Sequence, residues 1–174
     1  MSSKTSLVAL SVLSLVTSCG RQAGPGLKSD AAFALAADPG DAQSIADAKA
    51  AGPGSKLVVA RGRVRDLTKG FAVLKLLETA LHSCGEVTAK GCPTPWNYCC
   101  DTPEDRRAHE LLVECRGPDS KPVETAGLPD TRLLDLIKAR GTLTKNEFDS
   151  FVFVADGSWK ISWPELPSDL SWPE

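Results

Sequence analysis

The sequence predicts a mainly β protein: a small five-stranded barrel with a cysteine-rich loop insertion and a disordered N-terminal tether. Three observations predict it. Short stretches of period-two alternation, separated by turn residues, recur between Lys56 and Gly157, as half-buried strands require. Two of these stretches, the first and the fourth, carry a central glycine, Gly62 and Gly141. A mid-strand glycine marks a bulge or a sharp bend where a small barrel turns a corner. Finally, His82 to Cys100, HSCGEVTAKGCPTPWNYCC, holds four of the six cysteines and the only tyrosine between the second and third stretches. It reads as an inserted, cross-linked loop.

Composition sets the frame. The chain has 174 residues, 42% of them hydrophobic, with 20 Lys and Arg against 22 Asp and Glu. That is one ordinary domain of near-neutral charge, without the clustered basic residues that bulk nucleic-acid affinity needs.

The first residues read as an address. Lys4 precedes an apolar run from Leu7 to Val16, too short to cross the ~30 Å hydrocarbon core as a helix but of signal-peptide length. Val16-Thr17-Ser18-Cys19 then resembles a bacterial lipobox, which implies a signal peptide over residues 1–18 and lipidation of Cys19. Gly20 follows, and the absence of aspartate at that position leans towards the outer membrane under the enteric sorting rule. The expected location is therefore the cell envelope, with the membrane reached through the lipid. Beyond the inner membrane thiols oxidise, so the remaining five cysteines are read first as disulfide partners, with one left over.

Residues 19–55 are rich in Ala, Gly and Pro, the composition of a flexible tether. Within them, Asp41 to Ala51 has the composition of a three-turn helix capped by Asp41 and ended by Gly52, marginal unless it docks. The barrel domain is placed at 56–160. Its first strand turns Val58, Ala60, Gly62 and Val64 to one face and Arg61, Arg63 and Arg65 to the other. The second runs from Phe71 to Leu77 after the Lys69-Gly70 turn. Asp101 to Arg107 reads as a polar stretch, and Ala108 to Cys115 as the third strand, with Leu111, Val113 and Cys115 inward.

Leu133 to Arg140 suits a helix or a strand by period. The echo of Ala60-Arg61-Gly62-Arg63-Val64 in Ala139-Arg140-Gly141-Thr142-Leu143 decides for a fourth strand from Asp135 to Thr144. Phe148 to Val154 is the fifth, β-branched and aromatic, closed by a turn at Ala155-Asp156-Gly157. This strand order, with glycine bends in strands one and four, looks like an OB-type barrel, although OB modules do not generally carry such a cysteine loop. Residues 161–174 form a Trp/Pro-rich tail in which Ser-Trp-Pro-Glu occurs twice, at 162–165 and 171–174. The V-x-x-x-G-x-V of the first strand and the C-x-x-P-W-x-Y-C-C of the loop resemble a group of uncharacterised bacterial envelope lipoproteins. The resemblance implies a fold and an address, and no activity.

Chemistry has few places to sit. A disulfide between neighbours Cys99 and Cys100 would close a strained ring, which leaves 84–99 with 92–100, or 84–100 with 92–99. Cys115 is then a small buried hydrophobe. The alternative is a Zn or Cu site using His82, Cys84, Cys92, Cys99 and Cys100, though C-x7-C-x6-C-C is not a structural zinc spacing. A thiol redox couple is a third option, without the usual C-x-x-C.

Trp96 and Tyr98, stiffened by Pro93 and Pro95, offer a recognition surface; the plainer alternative has Trp96 lidding an open end of the barrel. Arg61, Arg63 and Arg65 suit phosphate or carboxylate, unless Glu110 and Glu114 neutralise them across the sheet. No nucleophile elbow, zinc-protease helix or phosphate-cradling glycine loop is present, and there are two histidines in all. The expected function is non-enzymatic binding of an envelope protein, glycan or small ligand through a disulfide-stapled loop, with metal or thiol handling as the alternative.

Overall fold

The computed structural model describes residues 33–87, 92–124 and 131–162. The segment read as a signal peptide, Cys19 and the tail from Trp163 onward lie outside the described residues. The protein is mainly β. Strands β1 (Val58–Leu67), β2 (Val73–Leu77), β3 (Glu110–Cys115), β4 (Leu136–Lys145) and β5 (Phe151–Ser162) close a barrel in the order β1-β2-β3-β5-β4. Every pairing is antiparallel except β3 with β5. This is the OB-like architecture that the glycine-marked strands predicted.

Alternation places the core. Ala60 and Val64 of β1, Leu74 and Leu76 of β2, Leu111, Val113 and Cys115 of β3, Ile137, Ala139 and Leu143 of β4, and Phe153 and Ala155 of β5 fill the interior. Burying each large aliphatic or aromatic side chain contributes about 1.5–3 kcal/mol. Both central glycines are forced by close approach. A Cβ on Gly62 would lie 2.8 Å from the Leu77 carbonyl oxygen and 3.0 Å from Leu76 Cβ, and one on Gly141 would fall against the Val154 carbonyl and 2.7 Å from the Ala155 Cα. The β4–β5 register shifts at Arg140/Gly141, where the sheet bends.

The fifth strand differs from expectation at both ends. Phe148 sits at the tip of the β4–β5 turn, where Asn146 Oδ1 accepts from the backbone N–H groups of Phe148 and Ser150. At the other end, Ala155-Asp156-Gly157 is not a turn, because the register shift absorbs the bend and β5 continues to Ser162. Asp156 instead pairs with Arg140 of β4 at 2.9 Å.

The described part of the predicted tether is no tether. From Phe33 the chain is stitched to the barrel: the Leu35 N–H donates to the Ser158 carbonyl (2.8 Å), the Gln43 N–H to Val59 (2.9 Å), and the Gly54 N–H to Leu143 (3.0 Å). Phe33 and Ile45 enter the core itself. Helix α1 (Ile45–Ala51) is capped by Ser44, not Asp41, because Gln43 is already committed to a backbone bridge with Ala60. Gly52 ends it with φ 77°, as expected of a residue that tolerates the left-handed region. The buried Glu78 carboxylate accepts from the Ile45 N–H (2.6 Å) and the Ala46 N–H (3.2 Å), so the helix N-terminus is satisfied from β2's end. Composition suggested a free leash; docking, which composition does not report, overrode it.

Candidate functional site

The cysteine loop lies on the outer face of β1 and β2. Leu76 points into the barrel, so its neighbour Leu77 points out, and it is fully buried there by Tyr98 and Leu134, with Leu81 and Trp96 packed alongside. Trp96 therefore does not lid an end of the barrel. Helix α1 reaches the interior instead, with Ile45 Cδ1 against Gly62. Tyr98, 3% exposed, is an anchor and not a displayed recognition residue. Burial pushes its phenol well above the ordinary value. Its hydroxyl, Arg63 Nε and Asp101 Oδ2 are buried without a hydrogen-bond partner among the described residues.

Two short helices shape the loop. Helix α2 (Cys84–Val87) is opened by Ser83, whose N–H and hydroxyl both donate to Glu86 Oε2, at 2.7 and 3.0 Å. Helix α3 (Pro103–Ala108), in the stretch predicted to be merely polar, is capped by Thr102 with Pro103 in its first turn. Both carried legible signals, Ser83…Glu86 as a capping box and Thr102-Pro103-Glu104-Asp105 as a helix start. The two arms of the loop are then tied together. The Cys84 N–H donates to the Asn97 carbonyl (2.6 Å) and the Gly85 N–H to Pro95 (2.8 Å).

That arrangement gathers three sulfurs. Sγ atoms of Cys84, Cys99 and Cys100 lie within 4.8 Å of one another. Cys84 Sγ is 2.7 Å from Cys99 Sγ and 3.9 Å from Cys100 Sγ, and it accepts the Cys99 backbone N–H at 3.3 Å. Cys84 is buried, while Cys99 and Cys100 are exposed. No described pair is at the ~2.05 Å of a disulfide. Cys92 falls outside the cluster, with Thr94 Oγ1 at 3.7 Å, and exposed His82 is not part of it either. Cys115 is buried in the barrel, as predicted. Burial opposes ionisation of Cys84, but hydrogen bonds from Cys99 and Cys100 outweigh it and hold its thiol below the ordinary value. Cys99 is pushed up to about 12, first by its bond to Cys84.

The arginine row is on one face, but most of its charge is answered. Arg63 pairs with Glu86 at 2.5 Å, and Arg65 pairs with Glu110, which Lys75 also approaches at 3.6 Å. Glu114 turns to Arg116 (2.9 Å) instead. Arg61 is exposed. Sequence reasoning missed the acids that organise this region: Glu86, Glu78 and Asp135. Asp135 is fully buried, with Oδ2 accepting from the Arg132 N–H (2.9 Å) and pairing with Lys160 (3.1 Å).

Glu86 gives a pH prediction. Although burial raises its pKa, the Ser83 N–H and the Arg63 guanidinium hold it below the ordinary carboxylate value. A depressed folded value contributes stability that is present above the unfolded pKa and is lost as pH falls through the folded one. With the site part-exposed, the contribution is about 1 kcal/mol or less. Urea midpoints of the wild type and Glu86→Gln should therefore converge as pH falls from 7 to 3. A constant gap across that range would remove Glu86 from the acid sensitivity.

No protein-family model matches the chain, nor does any curated protein sequence. Among solved structures it is similar to an aspartyl tRNA synthetase from Entamoeba histolytica, at 14% identity and a TM-score of 0.40. That likeness covers 91% of this chain and 30% of that one. The fold and the site define an OB-like barrel with a three-thiol loop on its outer face.

Proposed function

We propose that this chain is a lipid-anchored cell-envelope module that binds an envelope protein, glycan or small ligand through its cysteine loop, without catalysis. The observation that carries this reading is the seating of the loop: by burying Leu77 under Tyr98 and Leu134 it covers part of the outer β1–β2 face. The accessible surface there is now the loop's own. It displays Val87 (57% exposed), His82 and Asn97, with Arg61 exposed on β1. The lipobox-like Val16-Thr17-Ser18-Cys19 supports the anchor. In an oxidising envelope, Cys84–Cys99 is the pairing that needs least movement, and it would staple the loop.

The test has two arms, both in the native envelope. Fatty-acid labelling should follow Cys19 and vanish in Cys19→Ser. A photo-crosslinker at Val87 should give a discrete adduct that the same group at Lys69, on the β1–β2 turn, does not. Equal adducts at both positions would sink the binding-loop reading, and unlabelled Cys19 would sink the anchor.

A second reading is favoured by one specific observation, the convergence of three sulfurs on one point. Here the loop holds a soft metal ion, Zn or Cu, on thiolates.

A further inference from the structure

We propose that Cys84, Cys99 and Cys100 form a three-coordinate thiolate site selective for monovalent copper; the inference rests on the soft-metal reading of the loop. The donor set decides the ion. Among the described residues, the ligand atoms that converge are three sulfurs, with no imidazole or carboxylate among them. Zinc in a structural site takes four protein ligands, and here a fourth is not in the group. Monovalent copper is soft, is selected by thiolate sulfur, and is satisfied by three.

The spacing fits. Metal–sulfur bonds of about 2.3 Å around a trigonal centre set the sulfurs about 4.0 Å apart. Cys84 and Cys100 are already 3.9 Å apart. Cys99 is 2.7 Å from Cys84 and must swing outward by about 1.3 Å to reach that same trigonal spacing. Its side chain is exposed, so a χ1 adjustment is open to it.

A backbone donor supports the same cluster. The Cys99 backbone N–H is directed at Cys84 Sγ (3.3 Å), the kind of outer hydrogen bond that orients and stabilises a metal-bound thiolate. The cradle is also held before any ion arrives. The Cys84–Asn97 and Gly85–Pro95 backbone bonds fix one arm against the other, and a Cβ on Gly85 would press on Pro95 Cβ at 2.9 Å. Tyr98, the residue before Cys99, is buried and pins that arm of the loop. One ligand is therefore buried and two are at the surface, an arrangement in which a partner thiol can reach the ion and take it by ligand exchange, with no change in copper's oxidation state.

The experiment is a titration of the full-length chain, reduced and kept anaerobic in detergent. Copper(I) is delivered against a chromophoric copper(I) chelator, and Zn(II) is titrated in parallel. One copper per chain is expected, bound at least about a hundredfold more tightly than zinc, with X-ray absorption showing three sulfurs at about 2.3 Å. Cys100→Ser and Cys99→Ser, both at exposed positions, should each weaken copper binding at least about a hundredfold while leaving the circular dichroism spectrum unchanged. Cys92→Ser and Cys115→Ser should leave it intact. Loss of binding in Cys92→Ser, a four-sulfur centre, or a preference for zinc overturns the trigonal copper site and leaves the soft-metal reading standing. No metal on the reduced chain, or a Cys84–Cys99 disulfide that dithiothreitol does not open, overturns both.

Discussion

Gly141→Ala should abolish folding or cost at least about 3 kcal/mol, the largest effect expected of a methyl group added at any described glycine. The new Cβ would fall onto the Val154 carbonyl and the Ala155 Cα, both backbone atoms of β5, and no side-chain rotation can clear them. Overpacking a core typically costs about 1–3 kcal/mol, more where backbone must move. Here the backbone is that of the longest described strand, at the point where β4 and β5 change register. Gly62→Ala should be milder, since its nearest atoms, at 2.8–3.0 Å, include the flexible Ile45 Cδ1. Urea unfolding of the two variants, side by side, checks the ranking. Equal midpoints, or a Gly141→Ala protein as stable as wild type, would mean that the bend is not where the sheet is tightest.

Ile45→Ala should cost about 2–4 kcal/mol, the range for removing most of a fully buried aliphatic side chain. Ile45 is 0% exposed and belongs to the barrel's core cluster, although it comes from the segment before the first strand. Its loss opens a cavity beside Gly62 and removes the main apolar anchor of α1. The helix has seven residues and no stability of its own. Glu78 would then be left buried, capping a helix with a weakened reason to stay. Hydrogen exchange should accordingly rise first across residues 45–52 and only afterwards in β1. Unchanged protection there, with unchanged stability, would return the segment to the status of a loose strap.

These two variants also mark where the sequence was readable. The period-two pattern places Leu111, Val113 and Cys115, or Ala60 and Val64, because each strand buries one face and wets the other. Glycines in mid-strand are visible for the same reason: nothing but a close approach favours them there. The strap was hidden because its anchors, Phe33 and Ile45, are isolated apolar residues among Ala, Gly and Pro. The rest of what holds it is backbone hydrogen bonding, to which every residue type but proline contributes alike. The candidate site was half legible. Clustered cysteines announce themselves, but which three meet depends on how α2 and the Tyr98 anchor fold the loop, and that is tertiary. Likewise, the arginine row was placed correctly on one face. The pairing of Arg65 with Glu110 was within reach of the strand pattern, whereas that of Arg63 with Glu86 came from inside the insertion, beyond strand pairing rules.

The stitched strap also sets a distance. On the proposed lipid anchor at Cys19, the span up to the first described contact with the barrel ends at Phe33 and not at Lys56. Fully extended, that shorter span reaches at most about 50 Å, against roughly 130 Å for a leash running to the first strand. The barrel would then stand close to the bilayer surface, within reach of partners embedded in the same leaflet and of little beyond it.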